Sequence, residues 1–298
     1  MATTATAAPS GMDAATRRPG EATNTCDALR PMIISTFEEM NPKRRDTMED
    51  CHVVHAPGTW RSADPDLAYL GVYDGHGGRD MVEYLDYFLA FHVGGELNHN
   101  DDASIETRLE RAFLLADVHA TQCGISTSGS TVIVCLVKQH PGTNQITIHS
   151  ANVGDARAVL GHAGKVTRLS KDHRTDDVEE VQRIEQAGGF VYRNRVLGIL
   201  AVSRSLGDHC MKEFVVAKPH YREITISTST TTNDAKGKGR GSVLILACDG
   251  LWDVFSDDEA VEFAVGFPGD RTNVAQALVK AALQRGSTDN VSVVVAWL

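Results

Sequence analysis

The sequence of 298 residues predicts an α+β layered fold, and three observations lead there. Strand-like apolar runs come two or more together between helical stretches. The helical stretches themselves cluster in pairs. No internal repeat appears, and the regular strand–helix alternation of a βαβ winding is absent.

Taken in order, residues 1–30 are rich in Ala, Thr, Pro and Gly, show no period, and read as a disordered tail. Arg17 and Arg18 stand there with Asp13 and Glu21, without an apolar core or an Arg-rich face, so a plain tail is favoured over a transit peptide. A strand follows at 51–55, preceded by Glu49 and Asp50, and another at 67–73 runs into Asp74. Helical spacing covers 79 to about 97, and then 105 onward through Leu109, Phe113 and Ala116. The strand 146–153 leads into Gly154 and Asp155. A helix starting near Thr175 and Asp176 places Val178, Val181 and Ile184 on one side and stops at Gly188. After an alternating strand at 222–226, the Ser/Thr- and Lys/Gly-rich segment 227–241 reads as a mobile insertion, with a docking or phosphorylation loop as the alternative. The strand 243–248 ends at Asp249, and Ser256 with Glu259 forms a capping box that opens a helix to about Val265. Thr272 is expected to cap the last helix, with Val274 and Leu278 inward and Gly286 ending it. Asp289 then precedes the final strand-like run, 290–298.

Composition narrows the function. Lys and Arg number 29 against 39 Asp and Glu, a net charge of −10 that disfavours nucleic acid and anionic membranes as partners. No apolar stretch approaches the roughly 20 residues a membrane helix needs. The six cysteines form no CxxC pair, which suggests reduced core thiols in a cytoplasmic or nuclear protein.

The chemistry lies in aspartates at the rims of apolar strands. Such carboxylates cannot enter the core without a severe desolvation cost, yet they can converge at a sheet edge. Converging anions repel unless a cation holds them, so the pattern predicts a hard metal site. Five segments carry it. In the first, Arg45 precedes Glu49 and Asp50; a guanidinium offers phosphate oxygens a planar fork, although a solvated charged turn explains most clusters of this kind. In the second, Asp74, Gly75 and His76 follow an apolar strand; the glycine lets the backbone carbonyl approach an ion, and the histidine can exchange a proton. Asp155 in the third reads almost as well as a turn residue paired with Arg157. Asp249 and Asp289 complete the set, and each alone would pass for a turn residue. No His or Cys cluster with zinc spacing accompanies them, which points to Mg²⁺ or Mn²⁺.

Together these segments resemble the metal-dependent protein serine/threonine phosphatases of type 2C. The resemblance continues through 169–173, 185–189 and 195–208, spans 31–298, and is strongest to the small fungal enzymes that damp stress-activated MAP kinase signalling. It implies a catalytic domain at 31–298 folded as an α-β-β-α sandwich of two mostly antiparallel sheets flanked by helix pairs, with the metal centre at one end of the sheets. It further implies that Asp74 bridges two ions, that the Gly75 carbonyl binds one of them, and that Asp249 and Asp289 bind the other. Glu49 would bind a metal directly or through water, Asp50 would orient metal-bound water, and Asp155 would serve a weaker third ion. Arg45 corresponds to the phosphate-binding arginine and His76 to the general acid. Ala156 and Leu197 stand where the family usually has Ser and Asn, which bears on substrate fit rather than on the ligands.

The implied reaction is hydrolysis of phosphoserine and phosphothreonine in proteins by a metal-bridging water. Substrates would be phosphorylated proteins, MAP kinases or their activators among them, and the enzyme would act as a monomer. A non-catalytic relative would be expected to lose ligands, and every ligand position is present here. A metal-dependent nuclease disagrees with the charge balance.

Overall fold

The computed structural model describes residues 32–228 and 241–298. The expected tail at 1–30 and most of the expected insertion at 227–241 lie outside the described residues. One antiparallel sheet runs in the order β1 (Ile33–Glu39), β13 (Val291–Trp297), β12 (Val243–Ala247), β6 (Arg157–His162), β7 (Lys165–Arg168). The second runs β11 (His220–Ser227), β5 (Gln145–Val153), β4 (Gly129–His140), β3 (Leu67–His76), β2 (Asp50–His55), with the short β10 (Leu206–Gly207) beside β4. A separate hairpin joins β8 (Val191–Tyr192) to β9 (Arg195–Val196).

Strand alternation sorts the core into three layers. Leu67, Tyr69 and Tyr73 of β3 pack outward under α1 (Asp80–Leu97) and α2 (Ile105–Gln122). Ala68, Leu70 and Val72 of the same strand face the other sheet, meeting Leu244, Leu246, Val294 and Ala296. Val291, Val293, Val295 and Trp297 point the other way, beneath α4 (Asp249–Trp252), α5 (Asp257–Gly266) and α6 (Val274–Gln284). Each such fully buried aliphatic side chain contributes about 1.5–3 kcal/mol of transfer free energy. The result is the α-β-β-α sandwich expected. The inner strands read as continuous apolar runs because both of their faces are covered.

Several local expectations hold and two need correction. The capping box forms as read: Ser256 Oγ accepts from Glu259 N, and the Glu259 carboxylate accepts from Ser256 N. The helix read from Thr175 is α3 (Val178–Gln186), capped by the Asp177 side chain. Thr272 does not cap the last helix. Asp270 accepts from Thr272 N at 3.0 Å and starts a 3-10 turn, Arg271–Asn273, while the Thr272 carbonyl accepts Ser35 Oγ at 2.7 Å. Nor does the 67–73 strand stop before its acidic residue. It continues through His76, because Asp74, Gly75 and His76 still pair with β4. Among the described residues no helix is long and apolar enough to cross a membrane, and the five described cysteines are free thiols.

Candidate metal centre

Strand ends and one short helix deliver the acids to one end of the sandwich. Asp50 opens β2 and stands directly across from Asp74 on β3. Like charges in opposed positions repel, so this register needs compensation. Gly154, with φ of +81°, turns the chain out of β5 and presents Asp155 ahead of β6. Asp249 opens α4, which the sequence reading took for a turn; the helix fits because Gly250 packs against the Asn290 carbonyl where any Cβ would collide. One ligand atom from each of Asp74, Asp155 and Asp249 lies within 4.8 Å of the others, and the same holds for Asp50, Asp74 and Cys248. Asp74 is common to both groups. Gly75 sits where a Cβ would come 2.5 Å from the Glu49 carbonyl oxygen, so the close approach of β2 to β3 depends on glycine.

Glu49 and Asp289 are in neither group. The Glu49 carboxylate accepts from Thr47 Oγ1 at 3.1 Å. Asp289 Oδ1 accepts from Asn290 N at 2.7 Å, and its Oδ2 is held by Arg45 Nη2. Arg45 thus reaches the rim of the cluster through Asp289. Asn290, read only as part of a turn, clamps the entry loop: Oδ1 accepts from Glu49 N at 2.8 Å, and Nδ2 donates to the Met40 and Thr47 carbonyls.

Burial and crowding raise the acids. Desolvation pushes the Asp50 carboxyl up to about 7. Asp74 and Asp249 are driven well above the usual carboxylate range, by burial first and by neighbouring aspartates second. Asp155 and Asp289 are raised by burial and pulled back by Arg174 and Arg45 respectively. Asp50 Oδ2 is buried with no hydrogen-bond partner. An orphaned carboxylate oxygen inside an anionic cluster fits a hard cation with oxygen ligands. Cys248, a buried free thiol as expected, stands beside the acids. Its sulfur accepts from Ser292 N at 3.2 Å, and burial beside Asp50 and Asp74 keeps the thiol protonated, a poor metal ligand.

His76 Nε2 lies 2.7 Å from Asp208 Oδ2, a carboxylate that also accepts from Ser205 Oγ. The sequence reading quoted Asp208 only within a longer match. The pairing spans 132 positions and requires Gly129, where a Cβ would overlap both side chains. Glu180, held by Arg183, Arg204 and Ser203 and lowered to about 2 by those partners against its burial, fixes α3 to the chain that leads into β10 and Asp208. Leu197 has φ of +52°, the left-handed region that asparagine tolerates better than leucine.

With this geometry in view, the chain belongs to the protein phosphatase 2C family: the family profile described as Protein phosphatase 2C matches residues 35–291. The chain is 35% identical over 276 residues to Protein phosphatase 2C homolog 1 of Saccharomyces cerevisiae, covering 89% of this chain and 93% of that protein. The protein of the same name in Schizosaccharomyces pombe is 34% identical over 282 residues, 93% of this chain and 74% of the relative. A phosphatase structure from Toxoplasma gondii shares the fold, with a TM-score of 0.74 at 23% identity over 90% of this chain and 96% of that one. The protein is a serine/threonine protein phosphatase of a metal-dependent family, and its likeness to fungal members matches the sequence reading.

Proposed function

We propose that this phosphatase hydrolyses phosphoserine and phosphothreonine with two divalent ions, Mg²⁺ or Mn²⁺, gathered around Asp74. The observation that carries the reading is that Asp74 lies among Asp50, Asp155 and Asp249, with the Asp50 Oδ2 oxygen buried and without a hydrogen-bond partner. Gly75 would add its carbonyl, Asp249 and Asp289 the second set, and Glu49 an outer position; Asp50, opposite Asp74, would orient water with its unpartnered oxygen. When bound, the ions supply an activated water and neutralise phosphoryl charge.

The remaining work falls to this chain's own groups. Arg45, at the exposed rim, offers charge-assisted hydrogen bonds to the phosphoryl oxygens. Asp208, a buried acceptor, takes the Nε2–H of His76, so Nδ1 is the ring atom that hands a proton to the departing seryl or threonyl oxygen. The net charge of −10 disfavours nucleic acid as a substrate. The relatives' names support phosphoprotein substrates, with MAP kinases or their activators as the proposed targets and the cytoplasm or nucleus as the proposed site, the enzyme acting as a monomer. The test is turnover of a phosphothreonine peptide by metal-stripped protein. Activity should be absent after EDTA dialysis and return with Mg²⁺ or Mn²⁺; full turnover without them would overturn the two-ion reading.

A further inference from the structure

One side of the carboxylate cluster already carries a positive charge from the chain itself. Arg174, between β7 and α3, donates from Nε to Asp155 Oδ2 at 2.8 Å and from Nη2 to Asp253 Oδ1 at 2.9 Å. The same Nη2 stands 3.7 Å from Asp249 Oδ2. Three acids, from the β5–β6 turn and from the two ends of α4, therefore converge on one guanidinium. The arginine is also anchored by its backbone. It bridges to Val202, and the preceding His173 donates its N–H to the Gly154 carbonyl at 2.9 Å, directly beside Asp155.

We propose that Arg174 is a built-in cation that takes the place of a third divalent ion, leaving the enzyme to work with two. The proposal rests on the two-ion reading of Asp74 above. A third ion, held by Asp155 with Asp253 beyond the Asp74 centre, would have to displace both hydrogen bonds of the guanidinium fork and sit close to its charge. At an effective dielectric near 20 that repulsion weakens binding about a hundredfold or more. The fork has a further property that an exchangeable ion lacks: it is planar, permanently charged and cannot dissociate. Asp155 and Asp253 would then keep their positions without added metal.

The test counts bound Mn²⁺ by electron paramagnetic resonance on metal-stripped protein, for the wild type, Arg174→Lys and Arg174→Gln. Two ions are expected for the wild type and for the lysine variant, which keeps the charge. Arg174→Gln should bind three, with an affinity for the third at least a hundredfold above any found in the wild type. Arg174→Met serves in its place if the glutamine variant does not fold. A wild-type count of three overturns the proposal, as does a count of two in the charge-free variant. No bound Mn²⁺ in any of them would overturn the two-ion reading itself, so the two failures are distinct.

Discussion

Replacing Asp50 by asparagine should stabilise the metal-free protein, but only at neutral pH and above. Burial moves this carboxyl from an ordinary 3.8 up to about 7. Below the lower value the group is protonated in folded and unfolded chains alike and costs nothing. Between the two values the unfolded chain gives up its proton first, so stability falls as pH rises. Above the upper value the whole cost stands: about three pH units at 1.36 kcal/mol each, or roughly 4 kcal/mol. Asparagine keeps the shape and removes the charge, yet it buries an amide nitrogen where Oδ2 now lacks a partner. That loss is about 1–3 kcal/mol at any pH. The net gain at pH 8 is therefore about 1–3 kcal/mol, and at pH 4 it becomes a loss of similar size. Melting temperatures should rise by about 2–12 °C at pH 8 and fall at pH 4, at roughly 2–4 °C per kcal/mol. Saturating Mn²⁺ should reverse the pH 8 difference, because the ion stabilises the form that binds it better. Calorimetric melts of EDTA-treated wild type and Asp50→Asn at the two pH values check this. A difference of the same sign at both would refute the argument that a buried, uncompensated charge governs the effect.

His76→Gln should slow a phosphothreonine peptide by roughly 10²-fold while sparing p-nitrophenyl phosphate, whose leaving group needs no proton. Asp208→Asn should show the same substrate selectivity at a smaller size, about tenfold; equal slowing of both substrates by either variant would leave the pair a structural role only. Leu197→Asn should raise the melting temperature by about 2–4 °C, because it relieves roughly 1 kcal/mol of left-handed strain; a fall would mean the leucine side chain is needed in the small core around Ile184. Deleting residues 1–30 should leave the peptide rate unchanged, and a steady-state assay on the truncated chain tests it.

The layered fold was legible because periodicity is local: strands in groups and helices in pairs leave marks within ten residues of themselves. The rim aspartates were legible for a related reason, since an acid ending an apolar run has few places to go. Boundaries at the site were harder to read. Asp74 and His76 look like residues beyond a strand because they are polar, but the β4 backbone continues to pair with them. The pairs His76–Asp208 and Arg174–Asp253 were out of reach for a different reason. Each joins positions far apart in sequence, the first through the space that Gly129 leaves, and neither leaves a pattern in composition or spacing. Cys248 was rightly read as a buried reduced thiol, but its nearness to Asp50 and Asp74 leaves no mark in a sequence whose local neighbours are apolar.

The order of strands in the first sheet has a consequence for biosynthesis. β13 lies between β1 and β12, with Ile33 opposite Trp297 and Val243 opposite the same residue. Among the described strands, β1 therefore has no sheet partner until residues 291–297 have been made, and β12 has one open edge. During that interval the second sheet can assemble with α1 and α2. A nascent chain truncated before Val291 would leave β1 without its sheet partner and one edge of β12 open to chaperones.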